Sequence, residues 1–257
     1  MSKVVIVLPA YNAAKTLPQT IRDIPEQYRK DVILVDDCSK DDTVKVAESL
    51  GLRVLRHERN IGYGGNQKTC YKLALEAGAD IVVMVHPDYQ YNPKVVPHLA
   101  DLIEQNICDV VLGNRIRTRR ETLAGGMPVY KYLANRFLSL LCNVVTGENL
   151  GEWHSGMRAY SVKVLKTIPW QGNSDDFIFD MQFLVQASYF GMRIGDIPVE
   201  TKYFKEASSI NLRRSLVYGL RTLWVLAQYA LSGLGLASFA LFRKDGNRAE
   251  SRPVMLS

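Results

Sequence analysis

Residues 86–90 hold the densest group of side chains capable of chemistry in this 257-residue sequence. Asp88 and Gln90 offer hard oxygen atoms, which Mg²⁺ and Mn²⁺ use between a protein and substrate phosphates. His86 stands two residues before Asp88. Its imidazole could ligate Mn²⁺ directly, or it could orient the metal ligands through hydrogen bonds without touching the ion. The pattern therefore predicts a divalent metal site at Asp88 and Gln90, with His86 as a third candidate ligand.

A glycine-rich turn and an aspartate pair could contact a phosphorylated ligand. Gly62, Gly64 and Gly65 permit close backbone approach, and they open a predicted helix whose N-terminal N–H groups favour a diphosphate. An ordinary tight turn between strand and helix also uses glycine. Asp36 and Asp37 end a predicted strand, where a carboxylate could accept hydrogen bonds from a ribose hydroxyl or a base N–H. Helix capping or turn formation is the alternative role for both aspartates.

The elements that must position these residues alternate between short apolar strands and helices in the first half. The sequence predicts strands at residues 4–8, 32–35, 54–55, 81–85 and 110–112, and helices at 16–24, 43–50, 66–77 and 93–104. This alternation is typical of an α/β fold with a doubly wound, mostly parallel sheet flanked by helices. Ligands bind beyond the carboxyl ends of such strands. We therefore expect one site from the polar clusters at residues 9–12, 36–37, 60–66, 86–90 and 113–115.

The second half is less regular. Helices are predicted at residues 129–145 and 175–190, followed by a strand-like segment at 193–201. Residues 223–242 contain no charged side chain, and 20 helical residues reach about 30 Å, the thickness of a bilayer core. Internal polar residues and the stretch LSGLGL favour two short helices lying on a membrane face. Helices packed on the domain's own core, or a true membrane span, are the alternatives.

Charge and cysteine content narrow the classes further. The chain carries 32 Lys and Arg against 26 Asp and Glu, and the segment 202–248 holds the whole positive excess. A basic tail around apolar helices favours an anionic membrane surface, and no repeat or helix-turn-helix pattern supports nucleic acid binding. Four scattered cysteines exclude a disulfide scaffold and a zinc ribbon. The N-terminus has no signal-peptide pattern, so we expect a cytoplasmic protein, peripheral on the inner face of the plasma membrane.

Taken in order, these segments resemble the family 2 glycosyltransferases with the GT-A fold. The resemblance lies in LPAYNAAKTL (8–17), LVDDCSKDDT (34–43), NIGYGGN (60–66), VMVHPDYQYNP (83–93), VVLGNR (110–115), SGMRAYS (155–161) and GMRIGDIPV (191–199). More narrowly, HPDYQ, GNR, SGMRAY and IPV are similar to the dolichol- or polyprenyl-phosphate sugar synthase branch. The resemblance implies a GT-A domain over residues 1–210. The apolar and basic pattern of residues 211–257 predicts C-terminal helices that associate with a membrane surface.

The resemblance implies roles for individual residues. The first-strand motif that packs on the nucleotide base is matched by Pro9, Ala10, Tyr11 and Asn12. Asp36 or Asp37 matches the carboxylate that reads base or ribose. The metal and diphosphate ligand of the family's Asp-x-Asp motif is matched by Asp88, the glutamine after it by Gln90, and a site arginine by Arg115. Lys131 and Asn135 fall near the branch's acceptor-phosphate residues. His86 departs from the family because it replaces the first Asp of Asp-x-Asp.

In the family's manner, the implied reaction is a one-step inverting transfer of a hexose from a UDP- or GDP-linked sugar, most naturally to a polyprenyl phosphate. Mn²⁺ or Mg²⁺, Arg115, and Lys202 or Lys205 would offset charge on the phosphates. An acceptor phosphate is already ionised, whereas a hydroxyl acceptor would need Asp176 or Asp180 as its base. The alternatives are transfer to a sugar or other hydroxyl in cell-envelope polysaccharide synthesis, and a sugar nucleotidyltransferase or non-catalytic nucleotide-binding module.

Overall fold

The computed structural model describes residues 2–201 and 212–243, and in them seven strands form one sheet. The strands are β1 (Val4–Ala10), β2 (Val32–Asp36), β3 (Arg53–Arg56), β4 (Ile81–Met84), β5 (Val110–Asn114), β6 (Arg158–Ser161) and β7 (Ile194–Pro198). Their spatial order is β3-β2-β1-β4-β6-β5-β7. Four neighbouring pairs are parallel, and β6 runs antiparallel between β4 and β5. The prediction of a mostly parallel, doubly wound sheet is confirmed.

Helices cover both faces of this sheet. They are α1 (Leu17–Asp23), α2 (Glu26–Arg29), α3 (Thr43–Ser49), α4 (Tyr63–Glu76), α5 (Val96–Glu104), α6 (Arg119–Ala124), α7 (Val129–Thr146), α8 (Val162–Thr167), α9 (Phe179–Tyr189) and α10 (Leu212–Gly233). Alternate residues of a strand face opposite sides. Val7 of β1 therefore packs with Tyr71 of α4 in one apolar core, and Leu8 packs with Leu99 of α5 in the other. The two cores fix where the ends of β1, β2 and β4 lie.

Two local features differ from the sequence prediction. The strand β6 was not predicted, because it is only four residues long and carries a buried arginine, Arg158. The helix predicted from residue 175 begins at Phe179. The carbonyl oxygen of Asp175 accepts hydrogen bonds from the N–H groups of Gly64 (2.7 Å) and Gly65 (3.3 Å). This contact holds residue 175 against the start of α4, so α9 begins four residues later in the sequence than predicted.

The C-terminal helix α10 packs against α7 and α9. Its Val225 and Leu226 are buried in the core shared with these helices. The helix ends at Gly233, inside the stretch that predicted a break, and Gly235 adopts a φ of +70°. Among the described residues, no helix combines the length and apolarity needed to cross a bilayer. One side of α10 therefore packs on the domain's own core.

Candidate active site

A cavity of about 260 Å³ lies between the loop after β4, the start of β6, and helices α7 and α10. It brings together seven of the residues singled out by the sequence: His86, Asp88, Gln90, Arg115, Lys131, Asn135 and Asp180. Asp176 and the predicted nucleotide residues do not line it. Lys202 and Lys205 lie outside the described residues. The structure thus separates a cavity on the α7 and α10 side from the residues at the ends of β1 and β2 that the sequence predicts to bind a nucleotide.

The loop after β4 places two oxygen-bearing side chains on one tight turn. The backbone N–H of Gln90 donates to Asp88 Oδ1 at 3.0 Å. Tyr89, between them, adopts a φ of +55°, a conformation that non-glycine residues seldom adopt. Gln90 is buried and Asp88 is partly exposed. The turn therefore presents a carboxylate and an amide to the same cavity.

His86 is packed into the cavity wall by its neighbours. Its Nε2 lies 3.2 Å from the hydroxyl of Tyr63, and the two rings stack with centroids 5.7 Å apart. A Cβ atom at Gly156 would lie 2.6 Å from Nε2, so this position requires glycine. Burial lowers the pKa of His86 against the opposing charges of Asp88 and Asp180. The imidazole is therefore neutral near pH 7, which is the protonation state in which a histidine could ligate a metal ion.

The side chains on this turn suit a metal ion shared with a ligand. Residues 2–201 and 212–243 contain no group of three or more His, Cys, Asp or Glu side chains that could hold an ion. Mg²⁺ is commonly bound by one or two carboxylates together with substrate phosphates and water. Asp88 and Gln90 supply two hard oxygens on one turn, which fits such an ion. The geometry does not form a closed protein cage around it.

Asp180 is held in a buried polar network. Its Oδ1 lies 3.1 Å from a guanidinium nitrogen of Arg158 and accepts from Gln67 Nε2 at 2.9 Å. Its Oδ2 accepts from the Tyr63 hydroxyl at 2.8 Å. Asp176, by contrast, is exposed and pairs with Arg221 of α10 at 2.8 Å. Each acid predicted as a candidate base is therefore paired with an arginine.

Arg115 is paired with a fully buried glutamate that the sequence analysis did not select. Its Nε donates to Glu152 Oε1 and its backbone N–H to Oε2, both at 2.8 Å. Asn135 Nδ2 also donates to Glu152 Oε1, at 2.9 Å. Burial acts to raise the pKa of Glu152, but the charge and hydrogen bonds of Arg115 outweigh it and lower that pKa. Glu152 therefore stays ionised and compensates the charge of Arg115.

Lys131 of α7 brings a further positive charge to the cavity. Its ammonium group makes no hydrogen bond or ion pair to any residue within 2–201 and 212–243. Burial and the nearby charge of Arg115 lower the pKa of Lys131. An anion in the cavity would act in the opposite direction, because a nearby negative charge favours the protonated ammonium group.

The ends of β1 and β2 bring the predicted nucleotide residues together, with Pro9 paired to Val35 and Ala10 to Asp36 in parallel register. Tyr11 is 49 % exposed beyond β1, and the side chain of Asn12 accepts from Lys40 N at 2.8 Å. Oδ2 of Asp36 accepts from Ser39 N at 2.9 Å. Asp36 Oδ1 is buried and has no hydrogen-bond partner among the described residues. A ligand donor could satisfy it.

The neighbouring loop uses its glycine amides within the protein. Asp37 accepts hydrogen bonds from the N–H groups of Ile61 (2.9 Å) and Gly62 (3.1 Å). A Cβ at Gly62 would lie 2.6 Å from the Asp175 carbonyl oxygen, and one at Gly64 would overlap the chain at residue 174. The close approach that these glycines permit is therefore to the chain at residues 174–175. The amides of Gly64 and Gly65 are engaged there, so the expected diphosphate contact has no open N–H donor at these two residues.

Three polar groups of the site escaped sequence reasoning, namely Tyr63, Glu152 and Arg158, and a fourth, His154, is a candidate in the sequence only through its place beside the SGMR segment. Tyr63 is the aromatic residue inside the glycine-rich turn. The other three fall within seven residues, 152–158, on the segment that leads into β6. Several ionisable side chains cluster there around Trp153, which is fully buried. This clustering is the feature of the sequence that could have indicated a functional segment.

Comparison with known proteins identifies the class. Residues 5–168 match the family model described as Glycosyl transferase family 2, and the chain belongs to that family. It is therefore a glycosyltransferase. A solved structure of glucosyl-3-phosphoglycerate synthase from Mycobacterium tuberculosis, in complex with Mn²⁺, UDP-glucose and phosphoglyceric acid, aligns with a TM-score of 0.67. The alignment covers 93 % of this chain and 82 % of that one at 20 % identity, which confirms the GT-A fold.

Two relatives narrow the class to a branch. The chain is 28 % identical over 215 residues to the UDP-N-acetylglucosamine–dolichyl-phosphate N-acetylglucosaminyltransferase of Methanococcus voltae, covering 77 % of this chain and 85 % of the relative. It is also 28 % identical over 211 residues to the undecaprenyl-phosphate mannosyltransferase of Micrococcus luteus, covering 77 % and 82 %. The resemblance to the polyprenyl-phosphate branch is thereby confirmed.

Proposed function

We propose that this glycosyltransferase moves a hexose from a nucleoside-diphosphate sugar, UDP- or GDP-linked, to a polyprenyl phosphate at the cytoplasmic membrane face, with inversion. The observation that carries the proposal is the composition of the cavity. Asp88 and Gln90, which carry oxygen ligands suited to a metal ion, line the same cavity of about 260 Å³ as Lys131, whose ammonium group has no ion-pair partner among the described residues. A donor diphosphate and an acceptor phosphate can therefore meet there.

The donor is bound across two regions. Tyr11 offers a stacking surface for the base, and Oδ1 of Asp36, which has no hydrogen-bond partner among the described residues, offers an acceptor for the base or ribose. Asp88 and Gln90 would hold Mn²⁺ or Mg²⁺ together with the diphosphate. When bound, such an ion offsets the negative charge that develops on the leaving nucleoside diphosphate. The buried, glutamate-paired Arg115 orients this wall of the cavity.

The ion pairs of Asp176 and Asp180 favour a phosphate over a hydroxyl as the acceptor. A hydroxyl acceptor would need a base, but Asp176 and Asp180 are both paired with arginines. A phosphate acceptor is already ionised near neutral pH, so it attacks without losing a proton to the protein. Lys131 would bind that phosphate, with Asn135 beside it, and Lys202 and Lys205 remain further candidates for the same role.

The two helices that flank the cavity, α7 and α10, also carry exposed apolar side chains. On α7 the side chains of Val129, Leu133, Phe137, Leu140 and Val144 are between 60 and 72 % exposed. On α10, Leu216, Leu220 and Trp224 are also exposed. Neither helix contains an acidic residue. Exposed apolar stripes with basic neighbours favour an anionic bilayer surface. We infer a peripheral position on the inner face of the plasma membrane, where the lipid acceptor resides.

A transfer assay tests this function. The full chain is incubated in detergent with a polyprenyl phosphate, each of UDP-glucose, UDP-N-acetylglucosamine and GDP-mannose, and Mn²⁺ or Mg²⁺. We expect the sugar to enter the organic phase with release of the nucleoside diphosphate. Release of pyrophosphate would support a nucleotidyltransferase instead. Transfer to hydroxyl acceptors alone would support the polysaccharide alternative.

The Asp88→Asn variant tests the metal assignment within the same assay. It removes the carboxylate charge while keeping the side-chain size, and we expect a loss of about 100-fold or more in turnover. Asp101→Asn, an exposed change on α5, is the matched control and should behave as wild type. Both should keep the wild-type melting temperature. Full activity of Asp88→Asn at saturating metal would contradict the assignment.

A further inference from the structure

His154 lines the cavity, and the function proposed above does not yet use it. Its Nδ1 lies 2.9 Å from the hydroxyl of Tyr218 on α10, and the two rings meet edge to face with centroids 5.5 Å apart. Its Nε2 is buried without a hydrogen-bond partner among the described residues. A buried nitrogen without a partner costs free energy that a ligand can recover.

The imidazole is neutral in the free protein. Burial lowers the pKa of His154 to about 4, with the charges of Arg115 and Arg158 acting in the same direction and that of Glu152 opposing. A general base works best when its pKa lies near the operating pH. His154 is therefore a poor base for a hydroxyl acceptor, and it adds no charge to the cavity near neutral pH.

The hydrogen bond to Tyr218 accommodates a tautomer of His154 in which Nδ1 is the acceptor. Burial raises the pKa of Tyr218, so its hydroxyl keeps the proton and can donate it to Nδ1 of His154. A neutral imidazole that accepts at Nδ1 carries its own proton on Nε2. In this tautomer the wall of the cavity holds a buried Nε2–H that lacks an acceptor among the described residues.

The surrounding charges indicate which ligand atom fits this donor. Arg115 is paired with Glu152, and Arg158 with Asp180. Lys131 keeps a positive charge without a partner in the described part of the chain. An anionic ligand oxygen suits these surroundings, because His154 and Lys131 both line the cavity and charge-assisted hydrogen bonds are stronger than neutral ones.

We propose that His154 binds an oxygen of the acceptor's phosphate through Nε2–H, and that Tyr218 of α10 orients the ring for this contact. The inference rests on the proposed function, since it assigns one more residue to the same acceptor. It also links the acceptor site to the helix whose outer side carries the exposed apolar residues.

Variants that differ in the position of one nitrogen test the contact. Gln places an amide nitrogen near the position of Nε2, Asn places one near Nδ1, and Leu places none. In the transfer assay, His154→Leu and His154→Asn should raise the acceptor KM about tenfold or more. His154→Gln should stay within about threefold of wild type for the same reason. The donor KM should stay unchanged in all three. His98→Gln, on the exposed side of α5, is the matched control.

Tyr218→Phe tests the orienting role. It keeps the ring and removes the hydroxyl, so we expect a smaller rise in acceptor KM than for His154→Leu. Tyr229→Phe, also on α10 with its hydroxyl bonded to Thr146 O at 3.3 Å, should match wild type. The ¹⁵N shifts of the His154 ring in the full-length protein report the tautomer, and titration with a short-chain polyprenyl phosphate should move the Nε2 resonance.

The outcomes separate the two proposals. Wild-type transfer to polyprenyl phosphate with unchanged acceptor KM in both His154→Leu and His154→Asn would overturn the role of His154 alone. A proton on Nδ1 in the free protein would do the same. A wild-type enzyme that uses only hydroxyl acceptors would overturn the proposed function and, with it, this inference. If His154→Leu does not fold, the contrast between Gln and Asn still decides.

Discussion

At the residue scale, charge pairing inside the cavity decides which groups are available to a substrate. Glu152 is fully buried and touches Arg115 through side chain and backbone. The guanidinium group of Arg158, which is 1 % exposed, contacts both the carboxylate and the backbone carbonyl oxygen of Asp180. These two arginines are held by carboxylates, so their main effect is to fix the cavity wall. Lys131 is then left to meet an incoming anion.

Glu152→Gln should destabilise the fold, because it leaves the guanidinium of Arg115 without its counter-charge. Losing one partner of a buried ion pair costs about 3–5 kcal/mol, measured as the free energy of unfolding in urea at pH 7. The control is Glu121→Gln, which breaks an exposed pair with Arg117 at 3.1 Å and should cost about 0–1 kcal/mol. Equal losses in the two variants would contradict the structural role of Glu152.

The same pair gives a pH dependence with a definite sign. The pKa of Glu152 in the folded protein is lowered from its ordinary value of 4.5. Its contribution to stability is therefore complete above pH 4.5 and is lost as the pH falls through the folded-state pKa. The Glu152→Gln variant should therefore lose less of its free energy of unfolding than the wild type does as the pH falls. The urea midpoints of both proteins between pH 7 and pH 3 measure it.

Sequence reasoning reached some of these residues and could not reach others. Asp88 and Gln90 are two positions apart on one turn, so their spacing alone places both side chains together. Arg115 and Glu152 are 37 positions apart, and their contact depends on β6 entering the sheet beside β5. Local patterns carry no signal for such a pairing.

At the element scale, the start of α4 is fixed by a contact between two backbones. The N–H groups of Gly64 and Gly65 donate to the carbonyl oxygen of Asp175. The glycine pattern correctly predicts a close approach at this turn, but the pattern is the same whether the partner is a phosphate or another segment. Only the fold distinguishes the two, because it brings residue 175 to this point.

Gly64→Ala should test that contact. The new Cβ would overlap the Ser174 carbonyl oxygen and lie 2.7 Å from Phe179 Cβ, which forces α4 and α9 apart. Overpacking of this kind costs about 1–3 kcal/mol, and thermal and urea unfolding measure it. Gly172→Ala, whose Cβ would have no neighbour within 4 Å, is the control and should be near neutral. A neutral Gly64→Ala would show that this turn is looser than the structure indicates.

At the scale of the whole molecule, the exposed apolar residues are confined largely to α7 and α10. The α7 residues recur every three or four positions, so they form one stripe along the helix. Ala134 and Leu138 on the same helix line the cavity. The helix α7 therefore carries apolar side chains both on its exposed stripe and at the cavity wall.

The double variant Phe137→Gln, Leu140→Gln should weaken binding to anionic vesicles. Each change removes an exposed apolar side chain from the stripe, and burying such a side chain is worth about 1.5–3 kcal/mol at most. We expect at least a tenfold loss in vesicle affinity by co-sedimentation, on the order of 1.4 kcal/mol. Turnover of a short-chain, water-soluble polyprenyl phosphate should persist, because neither residue lines the cavity.

A second double variant distinguishes specific membrane binding by α7 from nonspecific hydrophobic adsorption. Leu50→Gln, Ile107→Gln removes two exposed apolar side chains elsewhere on the surface, so it lowers surface apolarity without touching α7. The control variant should bind vesicles as tightly as the wild type does. For both proteins, binding should weaken as the salt concentration rises, because Lys131 and Arg136 on α7 add an electrostatic attraction to anionic lipids. Equal binding by both double variants would exclude the stripe as the membrane contact. A wild-type dimer in sedimentation that the α7 variant dissociates would identify the stripe as a protein interface instead.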